Sequence, residues 1–596
     1  MSLSIAQGLA QFRELMATAQ ISAWIVPSVD PHLSEYLPEY WKQREYLSGF
    51  TGSVGTLLIT ADFSGLWVDS RYWEQASLQL DGSGITLMKL GDSNVLGLNE
   101  WLCQQLEAGQ SVGFNGMIMA LKQARQLTQD LEKVGVNIVS DRDLFEQLAM
   151  TRPALPRQAL YEHKAPFVSE SRAAKLQKVR EQMQQAGADY HFISALDDIA
   201  WILNLRGSDV DYNPVFLAHL LIDAEHAQLF IHEGKVDEAL AQTLAADGIE
   251  LIDYDRSIPV LQSLPAESSM LIDPARVTLS MSQSSCGHTI EQINPSQLFK
   301  SQKTAQDLEH VRQAMEQDGA ALCEFFAWFE QALAQGEAIS ELIVDEQICA
   351  ARARQEHYVC PSFATIAGFN GNGAMPHYRA TPESYAYIQG DGLLLIDSGG
   401  QYLNGTTDIT RVVPVGTISQ AHKRDYTTVL KGMIALSQAV FPVGYPAPLL
   451  DTLARVPLWQ EGVDYGHGTG HGVGYFLNVH EGPQVISHRA ASFPHTQMQA
   501  GMITSNEPGV YRPGQWGIRI ENLVCNVPAE RTEFVDTLKF ETLTLCPIDT
   551  RCIEKSLLTA EEVEWLNNYH AEVLQRLRSR VSGAALAWLE LRTQAI

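Results

Sequence analysis

The sequence predicts an α/β (α+β) chain of several domains: two similar α/β segments, then a larger domain that mixes antiparallel strands with helices. Three observations lead there. At 596 residues the chain is too long for a single domain. A strand, a hairpin and a helix recur in the same order at a spacing of about 150 residues, the period of a duplicated domain and not of a short-repeat solenoid. From residue 385 onward strand patterns dominate, and residues 391 to 525 hold a concentration of acidic and histidine residues in strand-like or Gly-rich surroundings.

Composition narrows the function classes. The chain is 45% hydrophobic and 19% charged, ordinary for a globular protein. Its formal net charge is −28, with no Lys/Arg run, which argues against nucleic-acid binding. No stretch of about 18 apolar residues predicts a membrane span. The N-terminal M-S-L-S-I-A-Q-G-L-A-Q-F-R-E-L lacks the basic and apolar regions of a signal peptide and reads as an amphipathic helix. Eight scattered cysteines without a C-x-x-C read as reduced thiols of a cytoplasmic protein.

In the first segment, residues 22–27 (S-A-W-I-V-P) read as a strand. T-L-L-I-T and G-L-W-V-D-S, split by A-D-F-S, read as a hairpin, and R-Y-W-E-Q-A-S-L-Q-L as a helix. T-R-P-A-L-P-R, from Thr151, breaks the pattern as a linker. The second segment repeats the plan. A helix over 168–186 leads to the strand Y-H-F-I-S-A, and F-L-A-H-L-L-I-D with A-Q-L-F-I-H echoes the hairpin. Residues 304–355 carry apolar residues at helical spacing and predict two or three helices. One helical interlude is expected near 420–456. The tail from 559 to 581 reads as a helix with Thr559 as N-cap and Glu562 completing a capping box.

The chemistry-bearing residues lie in the third segment. L-L-L-I-D ends on Asp397, and T-T-D-I-T-R contains Asp408. The two runs read as antiparallel strands joined by a short connection with a turn at Asn404-Gly405, a pairing that can bring both aspartates to one face. Taken singly, each is as well explained as a strand-end or edge charge. Yet an aspartate among Ile, Val and Thr is costly to bury unless it is paired or holds a metal. S-N-E-P-G carries Glu507 where a strand runs into a turn, and I-R-I-E-N carries Glu521, with Arg519 on the same face by alternation. An Arg–Glu surface pair is the plain alternative there.

G-H-G-T-G-H-G-V-G holds His467 and His471 four residues apart. So many glycines exclude a stable helix, so this is not the helical histidine pair of a zinc protease. It reads as a looping backbone that passes close to a site. His377, in M-P-H-Y-R, and His480, in L-N-V-H-E-G-P, fit an outer ring that orients substrate and stabilises an oxyanion. The mostly carboxylate set favours hard or borderline ions such as Mn²⁺ over a structural zinc. Two such ions about 3.5–4 Å apart activate water and polarise a carbonyl, which is hydrolytic chemistry.

In their order and surroundings, these residues resemble the pita-bread metallopeptidases, and within them the long, three-domain, cytosolic Xaa-Pro aminopeptidases (aminopeptidase P). The motifs are T-D-x-T-R, H-G-T-G-H-G-V-G, E-P-G and I-R-I-E-N, with Y-L-S-G-F-T-G-S-V-G, D-S-R-Y and A-L-D-D-I-A-W-I-L-N-L-R-G-S-D-V-D-Y-N-P-V-F outside the site. The resemblance implies two creatinase-N-like α/β domains, 1–155 and 156–303, and a pita-bread catalytic domain, 304–596, whose curved antiparallel sheet is flanked by helices. It implies that Asp397 binds one metal, His471 and Glu507 the other, and that Asp408 and Glu521 bridge both. His377 and His480 would contact the peptide, His467 would line the proline-side pocket, and Glu507 would also shuttle a proton. Arg71, in D-S-R-Y, would reach the substrate, and Arg519 would support the metal site from behind.

The implied activity is removal of the first residue from peptides with proline second, by attack of a metal-bridging water. Manganese is the expected ion, with zinc or cobalt as alternatives, and a homodimer the expected assembly. Asn506, where close relatives often have Asp, and Met375-Pro376 before His377 depart from the pattern and touch substrate range more than the metal site. A prolidase-like Xaa-Pro dipeptidase and a non-catalytic peptide-binding relative are the alternatives. Creatinase-like C–N hydrolysis normally lacks this metal set.

Overall fold

The computed structural model describes residues 4–148, 152–285 and 287–596. Residues 1–3, Thr151 at the start of the expected linker, and Cys286 lie outside these. The chain forms two compact units: Met1–Lys164 with Glu170–Ser296, and Ala165–Ser169 with Gln297–Ile596.

The first unit contains two six-stranded sheets built to one plan. The first sheet runs Thr86–Lys89, Ser64–Val68, Thr56–Thr60, Ala23–Val26, Ser111–Gly113, Asn137–Val139. The second runs Ile249–Asp253, Ala227–Ile231, His219–Ile222, Tyr190–Ile193, Ser269–Ile272, His288–Glu291. In each, the first strand in sequence pairs antiparallel with the hairpin that follows it and parallel with a later strand on its other side. Strand for strand this is the duplication that the sequence period predicts. The apolar runs that marked the strands fill cores such as Leu57, Ile59, Leu66 and Val68 in the first sheet and Phe192, Phe230, Met270 and Ile272 in the second.

The second unit is helical around several short antiparallel sheets. Where the helical period predicts two or three helices, there are two, Ala305–Ala334 and Glu341–Ala353. Thr304 and Asp307 form a capping box at the start of the first. The expected single interlude is in fact two helices, Gln420–Ser437 and Asp451–Gln460, separated by the strand Val440–Pro442, where Pro442 and Gly444 stop helix propagation. The tail helix is Ala560–Leu577, with the Thr559–Glu562 capping box as expected. A further helix, Gly583–Arg592, follows it.

Three antiparallel strands, Ile366–Phe369, Gly392–Ser398 and Ile409–Val415, form one sheet, with Asp397 opposite Thr410. The pairing of the two aspartate strands is as expected, but the connection is not. The Asn404-Gly405 turn belongs to an inserted hairpin, Gly400–Tyr402 with Gly405–Thr406. An N-G turn fits either pairing in sequence, and tertiary anchoring decides it. Tyr402 donates to Asp318 at 2.9 Å and Asn404 to Gln317 at 3.0 Å, both on the long helix Ala305–Ala334. Arg352 closes the same buried pocket by donating to Asp318 at 2.7 Å.

The strand Ile503–Asn506 pairs with Asn522–Pro528 in a separate four-stranded sheet. I-R-I-E-N therefore breaks between two strands: Trp516–Arg519 ends on Arg519, and Asn522–Pro528 starts after Glu521. Arg411, the last residue of T-D-I-T-R, welds these sheets. Buried, it donates to the carbonyls of Glu521 (2.6 Å), Cys546 (2.8 Å) and Pro547 (3.1 Å) and to Asn522 Oδ1 (2.8 Å). The seven described cysteines are all free. Among the described residues no helix is long and apolar enough to cross a membrane.

Candidate metal centre and peptide site

Four strand ends and one glycine-rich loop converge. Ligand atoms of Asp408, His471 and Glu521 all lie within 4.8 Å of one another. His471 Nε2 is 3.4 Å from Asp408 Oδ2 and 3.7 Å from Glu507 Oε1. Arg519 donates to Asp397 Oδ2 and stands 4.0 Å from Glu507. Thr410 donates to Glu521 Oε2 at 2.8 Å and accepts from Arg519 Nε at 3.1 Å. The five expected ligands thus share one buried neighbourhood.

The glycines permit the approach. A Cβ on Gly470 would sit 2.0 Å from the Ser505 carbonyl oxygen, and one on Gly472 1.9 Å from that of Glu481. No side chain fits between these backbones, so His471 is carried into contact by a path only glycine can follow. Its backbone N–H donates to Ser505 Oγ at 2.9 Å, and its ring Nδ1 lies 3.0 Å from the Gly472 carbonyl, which leaves Nε2 facing the carboxylates.

The electrostatics ask for cations. Burial pushes Asp397 up to about 6, against the pull of Arg519. Burial pushes Glu507 up to about 7, against His471 and Arg519. Burial, then Asp408 and Asp397, raises Glu521 well above the usual carboxylate range. His471 is held at about 9: burial opposes its charge, but Asp408 and Glu507 outweigh that. Asp397 Oδ1 is buried and accepts no hydrogen bond from the described residues. Four carboxylates against one arginine and one imidazole form a costly buried cluster that divalent cations would neutralise, so the donor set fits a pair of metal ions.

The outer histidines are placed as follows. The His480 ring meets the His471 ring edge-on, with centroids 4.4 Å apart. His467 is joined to the metal neighbourhood through Tyr511: Tyr511 Oη is 2.8 Å from His467 Nε2 and accepts from Arg519 at 2.7 Å. His377 sits between two anchored neighbours. The Pro376 carbonyl accepts from Arg519 at 3.4 Å, and Tyr378 donates to Glu341 at 2.8 Å. Arg71 belongs to the first unit, where Asp69 holds its guanidinium in a fork at 2.8 and 2.7 Å.

Sequence reasoning missed several residues that shape this site. Tyr511 follows Glu507 by four positions in E-P-G-V-Y and could have been flagged by alternation along the strand Gly509–Arg512, which pairs with Trp516–Arg519. Glu341, fully buried, accepts from Phe369 N (2.7 Å), Asn372 Nδ2 (3.0 Å), Tyr378 Oη (2.8 Å) and Ala386 N (2.7 Å), and so folds the segment that bears His377. Lys300 and Lys303 flank a buried Glu481 at 3.2 and 3.5 Å, beside His480. Nothing in the local patterns separates these charges from solvated ones.

Comparison with known proteins agrees with this geometry. Residues 309–526 match the model of metallopeptidase family M24, and 536–596 that of its C-terminal region. Residues 9–150 and 151–307 each match a creatinase/prolidase N-terminal domain. The fold and the site define an M24 metallopeptidase with duplicated creatinase-type N-terminal domains. Aminopeptidase P2 of Arabidopsis thaliana is 39% identical over 97% of this chain and 86% of its own. A probable Xaa-Pro aminopeptidase P of Coprinopsis cinerea is 39% identical over 99% and 98%. The crystal structure of the X-prolyl aminopeptidase of Caenorhabditis elegans, described as a cytosolic enzyme with a di-nuclear active site, superposes with a TM-score of 0.94 at 32% identity over the full length of both chains. Within M24, the chain belongs to the Xaa-Pro aminopeptidases.

Proposed function

We propose that this metallo-aminopeptidase releases the N-terminal residue of peptides whose second residue is proline, with two manganese ions as its working metals. The observation that carries the reading is the convergence of Asp397, Asp408, His471, Glu507 and Glu521 in a chain that is similar over its full length to Xaa-Pro aminopeptidases. Asp397 would hold one ion, His471 and Glu507 the other, and Asp408 and Glu521 both. Bound there, the ions supply a nucleophile at neutral pH and polarise the scissile carbonyl.

The chain's own residues do the rest. An Xaa-Pro bond is a tertiary amide with no N–H and a bulky ring, so extended-strand recognition serves it poorly. The free amine of the peptide would sit beside Asp397, which restricts cleavage to the first bond. Glu507 would carry a proton to the departing proline nitrogen. His377 and His480 would hold the carbonyl side of the peptide, and His467, steadied by Tyr511, the proline side. Arg519 keeps Asp397 oriented. Residues 1–155 and 156–303, with Arg71, would limit access to flexible peptides, with residues 304–596 as the catalytic domain.

The assembly we propose is a homodimer. Leu449, Leu453, Val456 and Trp459 lie along one side of the helix Asp451–Gln460 and the turn before it, each at least 40% exposed. An apolar stripe of this kind is suited to a second copy of itself. The free described cysteines and the cytosolic Caenorhabditis elegans relative support a cytoplasmic location. Rates on an Xaa-Pro-Pro tripeptide and an Xaa-Pro dipeptide separate an aminopeptidase from a dipeptidase. Faster cleavage of the tripeptide is expected, and hydrolysis of the dipeptide alone would overturn the reading.

A further inference from the structure

The loop that carries His467 has almost no regular structure, yet its polar groups are gripped by one buried ion pair. Asp451 and Arg455 lie one turn apart on the helix Asp451–Gln460, and both are fully buried. Arg455 Nε donates to Asp451 Oδ2 at 2.7 Å. Its other two nitrogens reach into the loop: Nη1 to the Tyr465 carbonyl (2.9 Å) and Asp464 Oδ1 (2.6 Å), Nη2 to the His467 carbonyl (2.7 Å). Its guanidinium lies over the Tyr465 ring, 3.8 Å from the centroid. Asp451 uses its remaining capacity in the same way. Oδ1 accepts from the Thr469 hydroxyl, which also meets Tyr465 Oη, and Oδ2 accepts from His488 N at 3.1 Å, with His488 Nδ1 at 2.6 Å.

A buried ion pair costs desolvation that apolar residues would avoid. Here the fork of Arg455 satisfies loop carbonyls that have no helix or sheet partner, a task a lysine cannot perform. The grip passes on to the site by two routes. The Thr469 carbonyl accepts the Glu507 N–H at 2.8 Å, and the His467 carbonyl is the one Arg455 holds, with the His467 ring on Tyr511.

We propose that Asp451 and Arg455 are positioning residues that hold His467 and Glu507 in register for the reacting peptide. Neither touches a metal ligand's donor atoms, so the pair acts through the loop. The inference rests on the peptidase reading above.

Three variants test it in the metal-loaded, full-length protein. Thr469→Val removes the hydroxyl that links Asp451 to the loop, with its contact to Tyr465 Oη. Asp451→Asn removes the charge. Arg455→Ala opens a guanidinium-shaped space. For the first two, kcat should fall at least about tenfold while KM stays within about threefold, because a bound but misplaced peptide loses rate more than affinity. Metal content should stay close to wild type in both, as should the melting midpoint of Thr469→Val, while Asp451→Asn melts lower because Arg455 is left buried beside a neutral partner. Guanidinium at a sub-denaturing concentration should restore part of kcat to Arg455→Ala and do nothing for wild type. Should Arg455→Ala fail to fold, Thr469→Val decides alone. Wild-type kcat in Thr469→Val, or a fall that only tracks lost metal or lost folded protein, overturns the proposal. If wild type itself cleaves no Xaa-Pro peptide, it is the peptidase reading that falls, and this inference with it.

Discussion

His471 Nε2 lies 3.4 Å from Asp408 Oδ2, across the gap between a glycine-rich segment and the residue just before the strand Ile409–Val415. Neither element makes this contact by its own propensity. The loop reaches it because Gly470 and Gly472 let backbones touch, and the strand because Arg411 ties it to the segment bearing Glu521. The centre is therefore assembled by tertiary packing, and its acidic surplus carries a cost that bound cations would offset.

Metal uptake should release protons. In the metal-free protein Glu507 sits at about 7 and His471 at about 9. Both must be deprotonated to serve as ligands. Below pH about 7 both groups give up a proton on binding, and between about 7 and 9 His471 still does; Glu521, raised well above the usual carboxylate range, adds to the release. Calorimetry of Mn²⁺ binding in buffers of different ionisation heat should show more protons released at pH 6.5 than at 8.5. A pH-independent affinity would contradict this.

Glu341→Ala should loosen the His377 segment. Four donors now converge on this buried carboxylate, and the alanine leaves them without an acceptor. A loss of about 3 kcal/mol is expected from unsatisfied buried donors. Glu341→Gln, which keeps one acceptor oxygen, should lose less. Thermal melting of the two variants, with hydrogen exchange over residues 369–386, checks the order.

Much of this was legible in sequence, for reasons that differ by element. The hairpins at Thr56–Val68 and His219–Ile231 were readable because apolar runs and the polar residues that split them are local. The duplication followed because both copies keep that local pattern in the same order. That Asp397 and Asp408 would come together was readable because each stands among residues that would reject an unpartnered charge. The turn at Asn404-Gly405 was assigned to the wrong strand pair, since its true partners on the helix Ala305–Ala334 are remote in sequence. Asp451, Arg455, Glu341 and Arg411 were missed because their burial is decided by what packs over them. Asp451 and Arg455, four apart, read as an ordinary surface pair on an amphipathic helix.

Acid should destabilise the catalytic unit through His570. Its Nε2 accepts the Ile548 N–H at 3.1 Å, and burial, with Arg411 near, pushes it down to about 4. An unfolded histidine titrates near 6.5. The unfolded chain therefore takes up the proton first as pH falls. Stability that is fully present above about pH 6.5 is lost progressively down to about pH 4. His570→Gln should flatten that loss by about 2 kcal/mol, read from urea midpoints at pH 7 and pH 5. An unchanged pH slope would contradict the assignment.

Leu453→Glu should give a monomer. The residue lies mid-stripe on the exposed side of the helix Asp451–Gln460, so a charge there costs the dimer without entering the core. Light scattering should show half the wild-type mass with an unchanged melting profile for the isolated subunit. A wild-type mass for the variant would move the interface elsewhere.

The central claim is that the buried acid–histidine cluster is a two-metal centre for Xaa-Pro cleavage. Titrating Mn²⁺ into metal-stripped protein while following release of free arginine from Arg-Pro-Pro tests it most directly. Activity should rise with added metal and level off at two ions per chain, and Asp408→Ala should bind fewer ions and lose more than about 100-fold in turnover. No arginine released with any divalent ion, or undiminished turnover in Asp408→Ala, would contradict it.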